Sequence, residues 1–259
     1  MITVQTRDRV ARITLDHTES GHALSLPLMQ ALREALRHAA LDAQVNVIAL
    51  TARGRHFCAG ADLHWVSALV TQDASLWRDG MNGLIDLLGD LHALDKPVVA
   101  AVQGPVIGGG VALLCLCDVV LASTAFHWRL PETELGMVPS AVLPALRQRL
   151  APAHLARAVL EPRRWSAQEA LALGLVHELV PADALESAVE ARLAALRRAS
   201  AEANAQTKRL MRELDGHRLQ GELQTVRAQI DLALANTDAP SRIAALMTRT
   251  HERPSEGQT

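Results

Sequence analysis

Apolar and polar positions alternate at the start of the chain, at Ile2 and Val4 and then at Val10, Ile13 and Leu15. This predicts an exposed hairpin of two antiparallel strands with its turn near Arg7 to Arg9. From Pro27 to Leu41 the period changes to that of a helix. Leu28, Met29, Leu32, Leu36 and Ala39 fall on one face, and Pro27 takes a tolerated first-turn position. Val45–Leu50 then reads as a buried strand. A similar order returns at Val98–Val102, a glycine turn, the apolar run Val111–Leu116 and Val119–Ala122, which implies parallel strand and helix units. Beyond Pro139, helical patterns follow one another over roughly Ala141–Leu150, Ala153–Leu160 and Ala167–Leu173. A last short strand is expected at Val176–Val180, between Gly174 and Pro181, before long helical segments from Ala184 to Met247. The division expected is an α/β core over residues 1–190 and a helical region over 191–259.

Composition narrows the class. At 259 residues, 49% apolar and 21% charged, the chain can bury a large core, and disordered or fibrous classes are excluded. The core must be aliphatic, because there are two Phe, four Trp and no Tyr. A formal charge of -2 with scattered basic residues points away from nucleic acid. Cys58, Cys115 and Cys117 lack the spacing of a zinc site or a disulfide framework, and no HExxH-like pattern occurs, so no metal is expected. The N-terminus does not read as a secretion signal, and no apolar run reaches the length of a membrane span. A cytoplasmic protein is therefore expected.

Two glycine-bearing turns carry the candidate chemistry. The first is His56-Phe57-Cys58-Ala59-Gly60-Ala61-Asp62-Leu63, between a strand and an expected helix. Asp62 suits a helix start, since its carboxylate accepts from first-turn amides, so its role reads as structural. The group left for a ligand is the main-chain N–H of Ala61. The second turn is Gln103-Gly104-Pro105-Val106-Ile107-Gly108-Gly109-Gly110, which opens a short apolar helix. It lacks the Lys and Ser/Thr of a phosphate loop, and its contiguous glycines do not match a dinucleotide fingerprint. Its free amides could hold a negatively charged oxygen, or the glycines could serve only close packing. The turn by itself carries both readings.

Four blocks, FCAGADL, KPVVAAVQGPVIGGGVALLCLCD, PETELGMVP and AQEALALGLVHELVP, resemble the crotonase (enoyl-CoA hydratase/isomerase) superfamily in order and spacing. The resemblance spans essentially the full chain. It implies a crotonase-like ββα spiral core with a helical trimerisation region, and hence a homotrimer or dimer of trimers. It implies an acyl thioester substrate whose CoA, or the phosphopantetheine of an acyl carrier protein, is part of the substrate, with no further cofactor. The N–H groups of Ala61 and Gly109 would form an oxyanion hole for the thioester enolate. Main-chain contacts near Ala23, Ala59 and Asp62 would hold the carrier arm. The loop Gly21-His22-Ala23-Leu24 lacks the basic residue and Asn usual there.

By the same resemblance, hydratases hold water between two glutamates. Ala112 occupies the position of the first, and Glu132 that of the second, so Glu132 is the expected general base and acid. Glu134, two positions on, would point to the opposite side if the segment were extended. One carboxylate suits a 1,3 double-bond shift, whereas the segments around Ala61–Trp65 and Val138–Val142 resemble branched, methylglutaconyl-type hydratases that also lack the first glutamate. Hydratase leads, isomerase follows closely, and a decarboxylase or a non-catalytic thioester-binding protein remains open. His64, Trp65, His127, Trp128 and Arg129 are candidates for the acyl pocket. The cysteines read as small buried residues.

Overall fold

The computed structural model describes residues 1–251. Strands β1 (Ile2–Arg7) and β2 (Val10–Leu15) form the expected antiparallel pair. They are joined by Asp8 and Arg9 at φ 48° and 64°, the turn conformation that follows strand twist. The hairpin is exposed on only one of its strands. β2 pairs in parallel with β3 (Val47–Ala52), and its Ala11, Ile13 and Leu15 are buried, so of the hairpin's two strands only β1 lies at an edge of the sheet.

Further along lie β4 (Val98–Val102), β5 (Val106–Ile107), β6 (Val119–Ser123), β7 (His127–Arg129), β8 (Trp165–Ser166) and β9 (Glu178–Val180). The main sheet runs β1-β2-β3-β4-β6-β9, and a small second sheet runs β5-β7-β8. Strand alternation sorts the apolar runs of the main sheet onto two buried faces. Ile48, Leu50, Val98, Ala100, Val102, Val120 and Ala122 join the larger core, while Val47, Ala49, Val99, Ala101 and Leu121 join a second one. That second core is closed by Leu185, Val189 and Leu193 of the helix Leu185–Arg198. The helix runs across the expected 190/191 division and belongs with the sheet that it covers. Residues 252–259 of the expected helical region lie outside the described residues.

The chain visits the two sheets alternately. It passes from β4 to β5 and then into the helix Gly109–Leu116, and from β6 to β7 and then into the helix Val142–Arg149. One turn earlier, the segment after β3 is bridged to β5 at Cys58 and Val106. Strand, short strand and helix therefore repeat as turns of a spiral, in the same order in both sheets.

The helix Leu26–Leu41 buries the expected face and is capped by Ser25 Oγ, which accepts from the Leu28 N–H at 3.3 Å. Such a cap contributes about 1 kcal/mol. The 20-residue helix Ala74–Ala93 was not expected from the sequence pattern. Asp73 caps it, and Trp77, Met81, Leu84, Leu88 and Leu91 lie on its buried face, but Gly80, Gly83 and Gly89 dilute the helical signal. The helix Ala201–Leu214 turns its cations inward, with Lys208 on Asp118 and both Arg209 and Arg212 on Asp95. Leu210, Met211 and Leu214 are left exposed. No helix among the described residues is long and apolar enough to cross a membrane.

Candidate active site

The two glycine turns lie side by side. The Phe57 N–H donates to the Pro105 carbonyl at 3.1 Å and the Ile107 N–H to the Cys58 carbonyl at 2.9 Å. On its other flank the first turn is tied to the early loop, with the Ala59 N–H on the Gly21 carbonyl at 2.9 Å and the Leu24 N–H on the Gly60 carbonyl at 2.7 Å. Gly60, at φ 92°, presses so closely that a Cβ there would stand 3.0 Å from the Ile107 carbonyl oxygen. The second turn is anchored by the Gly108 N–H, which donates to the Arg129 carbonyl of β7 at 2.9 Å. Neighbouring peptides on both turns are thus engaged. The N–H groups of Ala61 and Gly109 donate to no protein acceptor among the described residues, and both line the same cavity. Gly109 is the first residue of its helix, where amides are unpaired by geometry and the peptide dipole favours negative charge.

Glu132 lines that cavity with them. Parallel pairing of β5 with β7 aligns Ile107 with Arg129, so the chain leaving β7 passes the start of the glycine helix and turns back at Glu132. Glu132 as a residue is only 9% exposed, and its Oε2 has no partner among the described residues. Its Oε1 lies 2.9 Å from where a Cβ on Gly108 would be, and Gly108 sits at φ 49°. Burial pushes the Glu132 pKa up from 4.5 to about 7, against smaller opposing effects of its own backbone and of Arg129. A carboxyl of that kind exchanges protons near neutrality.

Glu134 does not extend opposite Glu132, because the segment is a tight turn: the Met137 N–H closes on the Glu132 carbonyl at 2.8 Å. The Glu134 carboxylate pairs with Arg129, at the mouth of the site. Asp62 is the helix cap that its position suggested, accepting from the His64 N–H at 2.8 Å. Of the three positions expected to hold a carrier arm, Ala59 lines the outer cleft, while Ala23 and Asp62 are not among the residues lining either cavity at the site. The Ala23 N–H is engaged by the Ser20 carbonyl at 3.3 Å, and the Ala59 N–H is taken as described.

Trp65 belongs to the inner wall and His64 is exposed. Trp128 is fully buried and stacked on Trp165 at 5.3 Å, away from the pocket, whereas Arg129 lines the outer cleft. The three cysteines are buried, and burial raises each thiol to about 12, which leaves no thiolate for nucleophilic chemistry. Among the described residues, no group of three or more His, Cys, Asp or Glu could hold a metal.

The outer cleft measures about 1090 Å³ and is walled on one side by Ser241, Arg242, Ala245 and Leu246 of the helix Ala239–His251. It meets a smaller inner chamber at Ala61, Val66, Glu132 and Met137. The sequence reading missed one side of the chamber: Trp77, Met81 and Leu84 come from the unexpected helix, whose cap and apolar spacing were the available signal.

Two unpaired amides beside a desolvated carboxyl, at the junction of a long cleft and a small apolar chamber, form the type of site that holds an anionic oxygen while a proton moves nearby. The chain belongs to the enoyl-CoA hydratase/isomerase family, within the crotonase superfamily: the family model matches residues 5–239. The chain is 34% identical over 233 residues to the probable enoyl-CoA hydratase EchA12 of Mycobacterium tuberculosis, covering 84% of this chain and 79% of that protein. It is 31% identical over 252 residues to the 2,3-dehydroadipyl-CoA hydratase of Escherichia coli, covering 95% of each. Among solved structures, an enoyl-CoA hydratase from Mycobacterium avium subsp. paratuberculosis superposes with a TM-score of 0.84 at 29% identity over 96% of both chains.

Proposed function

We propose that this chain hydrates 2-enoyl thioesters of CoA, with Glu132 as its single catalytic carboxylate and the amides of Ala61 and Gly109 as the oxyanion hole. The observation that carries the proposal is the Glu132 carboxyl, buried with one unpaired oxygen in the cavity that both free amides line. With the thioester oxygen between the two N–H groups, electron density leaving the double bond is received as an enolate oxyanion. Each donor held in place contributes about 3 kcal/mol to the barrier reduction. Ionised Glu132 takes a proton from water as the water oxygen bonds to the β-carbon. The carboxyl then returns a proton to the α-carbon, the enolate collapses to the thioester, and the net change is addition of one water. A pKa near 7 suits a group that must both accept and give.

The hydratase names of relatives such as EchA12 and the E. coli protein support hydration over its alternatives. Ala112 favours a second reading, a Δ3-Δ2-enoyl-CoA isomerase. It lies three residues after Gly109 on the same side of a fully buried helix, where a second carboxylate would be needed to share the water. A cleft of about 1090 Å³ supports free CoA as the carrier, and supports the phosphopantetheine of an acyl carrier protein equally. The exposed Leu210, Met211 and Leu214 support association with further copies in a trimer or dimer of trimers, and the reduced cysteines support a cytoplasmic setting. Incubation with 2-enoyl- and 3-enoyl-CoAs in heavy water separates the readings by mass spectrometry. Hydration gives a 3-hydroxyacyl product with label at the α-carbon. Isomerisation gives no mass of water, and binding without product would sink both.

A further inference from the structure

The inner chamber is small and uncharged apart from Glu132. Its volume is about 50 Å³. At roughly 10 to 15 Å³ for each water-sized group, about four such groups fit in the chamber that the Ala61 and Gly109 amides line. The wall on the helix side is made by Trp65, Trp77, Met81, Leu84 and Val142, each no more than 5% exposed, and it faces the segment from Met137 to Ala141, in which Val138 is 68% exposed. Both indole N–H groups are satisfied by backbone, Trp65 Nε1 on the Leu24 carbonyl and Trp77 Nε1 on the Ile230 carbonyl, each at 2.8 Å. The rings meet at 5.7 Å with their donors occupied, so the pair offers the chamber hydrocarbon rather than a hydrogen bond. Behind Trp65 there is no room to retreat, since a Cβ on Gly80 would already stand 2.3 Å from its ring. The cations of the site, Arg129 and Arg242, line the outer cleft and not the chamber.

We infer that the chamber selects short, uncharged acyl chains of about four to six carbons, with Trp65, Trp77 and Met81 as the length-limiting wall, and rejects acyl groups ending in a carboxylate. This rests on the proposed thioester site. A longer chain that runs toward the helix side has to displace packed tryptophans. A terminal carboxylate would be desolvated beside Glu132 with no cation to pair it.

The test compares kcat/KM for but-2-enoyl-, hex-2-enoyl-, dec-2-enoyl- and hex-2-enedioyl-CoA. It is paired with calorimetric affinities for butyryl-, hexanoyl-, decanoyl- and adipoyl-CoA, which need no turnover. The decenoyl ester and the dicarboxylic ester are expected to fall at least about 100-fold below the butenoyl and hexenoyl esters, with the same order in binding. Met81→Ala should raise the decenoyl-to-butenoyl ratio at least about tenfold; if that variant does not fold, Leu84→Val is read in the same way. Equal handling of long and short chains, or of hexenedioyl and hexenoyl, overturns the inference. Preserved affinity order with no turnover on any ester overturns the catalytic reading and leaves the size limit standing.

Discussion

Replacing Glu132 by Gln separates the cost of the proposed catalytic carboxyl from its use. Glutamine has nearly the same shape and cannot ionise. In the folded chain the carboxyl's pKa is raised from 4.5 to about 7 by burial. That is roughly a 300-fold gain in proton affinity, or about 3 kcal/mol at about 1.4 kcal/mol per factor of ten. Below pH 4.5 the group is protonated in the folded and unfolded chains alike, and the two proteins differ by a fixed amount. As pH rises from 4.5 to about 7 the unfolded chain releases a proton that the folded chain retains, so wild-type stability falls; above about 7 the loss levels off. Urea unfolding of both proteins across this range should therefore show Glu132→Gln gaining about 3 kcal/mol on the wild type between pH 4 and pH 8. Hydration by the same variant should drop at least about 1000-fold. A stability difference that stays flat with pH would refute the desolvated carboxyl, and normal turnover on the true substrate would refute its role as base.

Ala112→Glu should raise hydration of but-2-enoyl-CoA at a cost of about 1 to 3 kcal/mol in stability from the buried carboxyl, measured by kinetics beside thermal melting; a folded variant with no gain in rate counts against the reading of that position. Gly108→Ala forces a Cβ to 2.9 Å from Glu132 Oε1 at φ 49°, and should lower kcat by at least about tenfold and stability by about 1 to 3 kcal/mol. His22 is fully buried, and burial lowers its pKa below 6.5. The stability it contributes is therefore present above pH 6.5 and lost as pH falls below it, so His22→Asn should flatten the acid side of the pH–stability curve. Met81→Gln should bring water toward Glu132 and move the pH limb of kcat/KM to lower values from about 7; an unmoved limb would mean that the apolar wall does not set this pKa.

Legibility in the sequence followed the physics of each part. The strands Val98–Val102 and, but for its last residue Ser123, Val119–Ser123 were readable because a strand buried on both faces is apolar at nearly every position. The turns at Gly60 and Gly108 were readable because a backbone that approaches another at positive φ leaves little choice but glycine. Glu132 was readable only through the resemblance of its flanking block, since nothing local says that a Pro-Glu pair is buried. The partition of the cavity was not legible. The chamber wall draws on Trp65, Trp77, Met81, Leu84 and Val142, which lie on three separate helices, and each of these residues is by itself an ordinary core side chain. Short strands such as β5 and β8, two residues each, carry too few positions for a period to show.

The same apolar wall acts on both halves of the proposed chemistry. Excluding water from the junction of cleft and chamber strengthens whatever the Ala61 and Gly109 amides do to a developing oxyanion, because each donor then acts in a medium of low polarizability. The identical exclusion raises the Glu132 pKa toward neutrality, where a carboxyl can give back the proton it takes. With Ala112 where the resemblance expects a second glutamate, Glu132 is the only acidic side chain among the described residues that line the chamber. A single acid in a drier site is therefore a consistent arrangement, in which tuning by burial supplies part of what a second glutamate would otherwise provide.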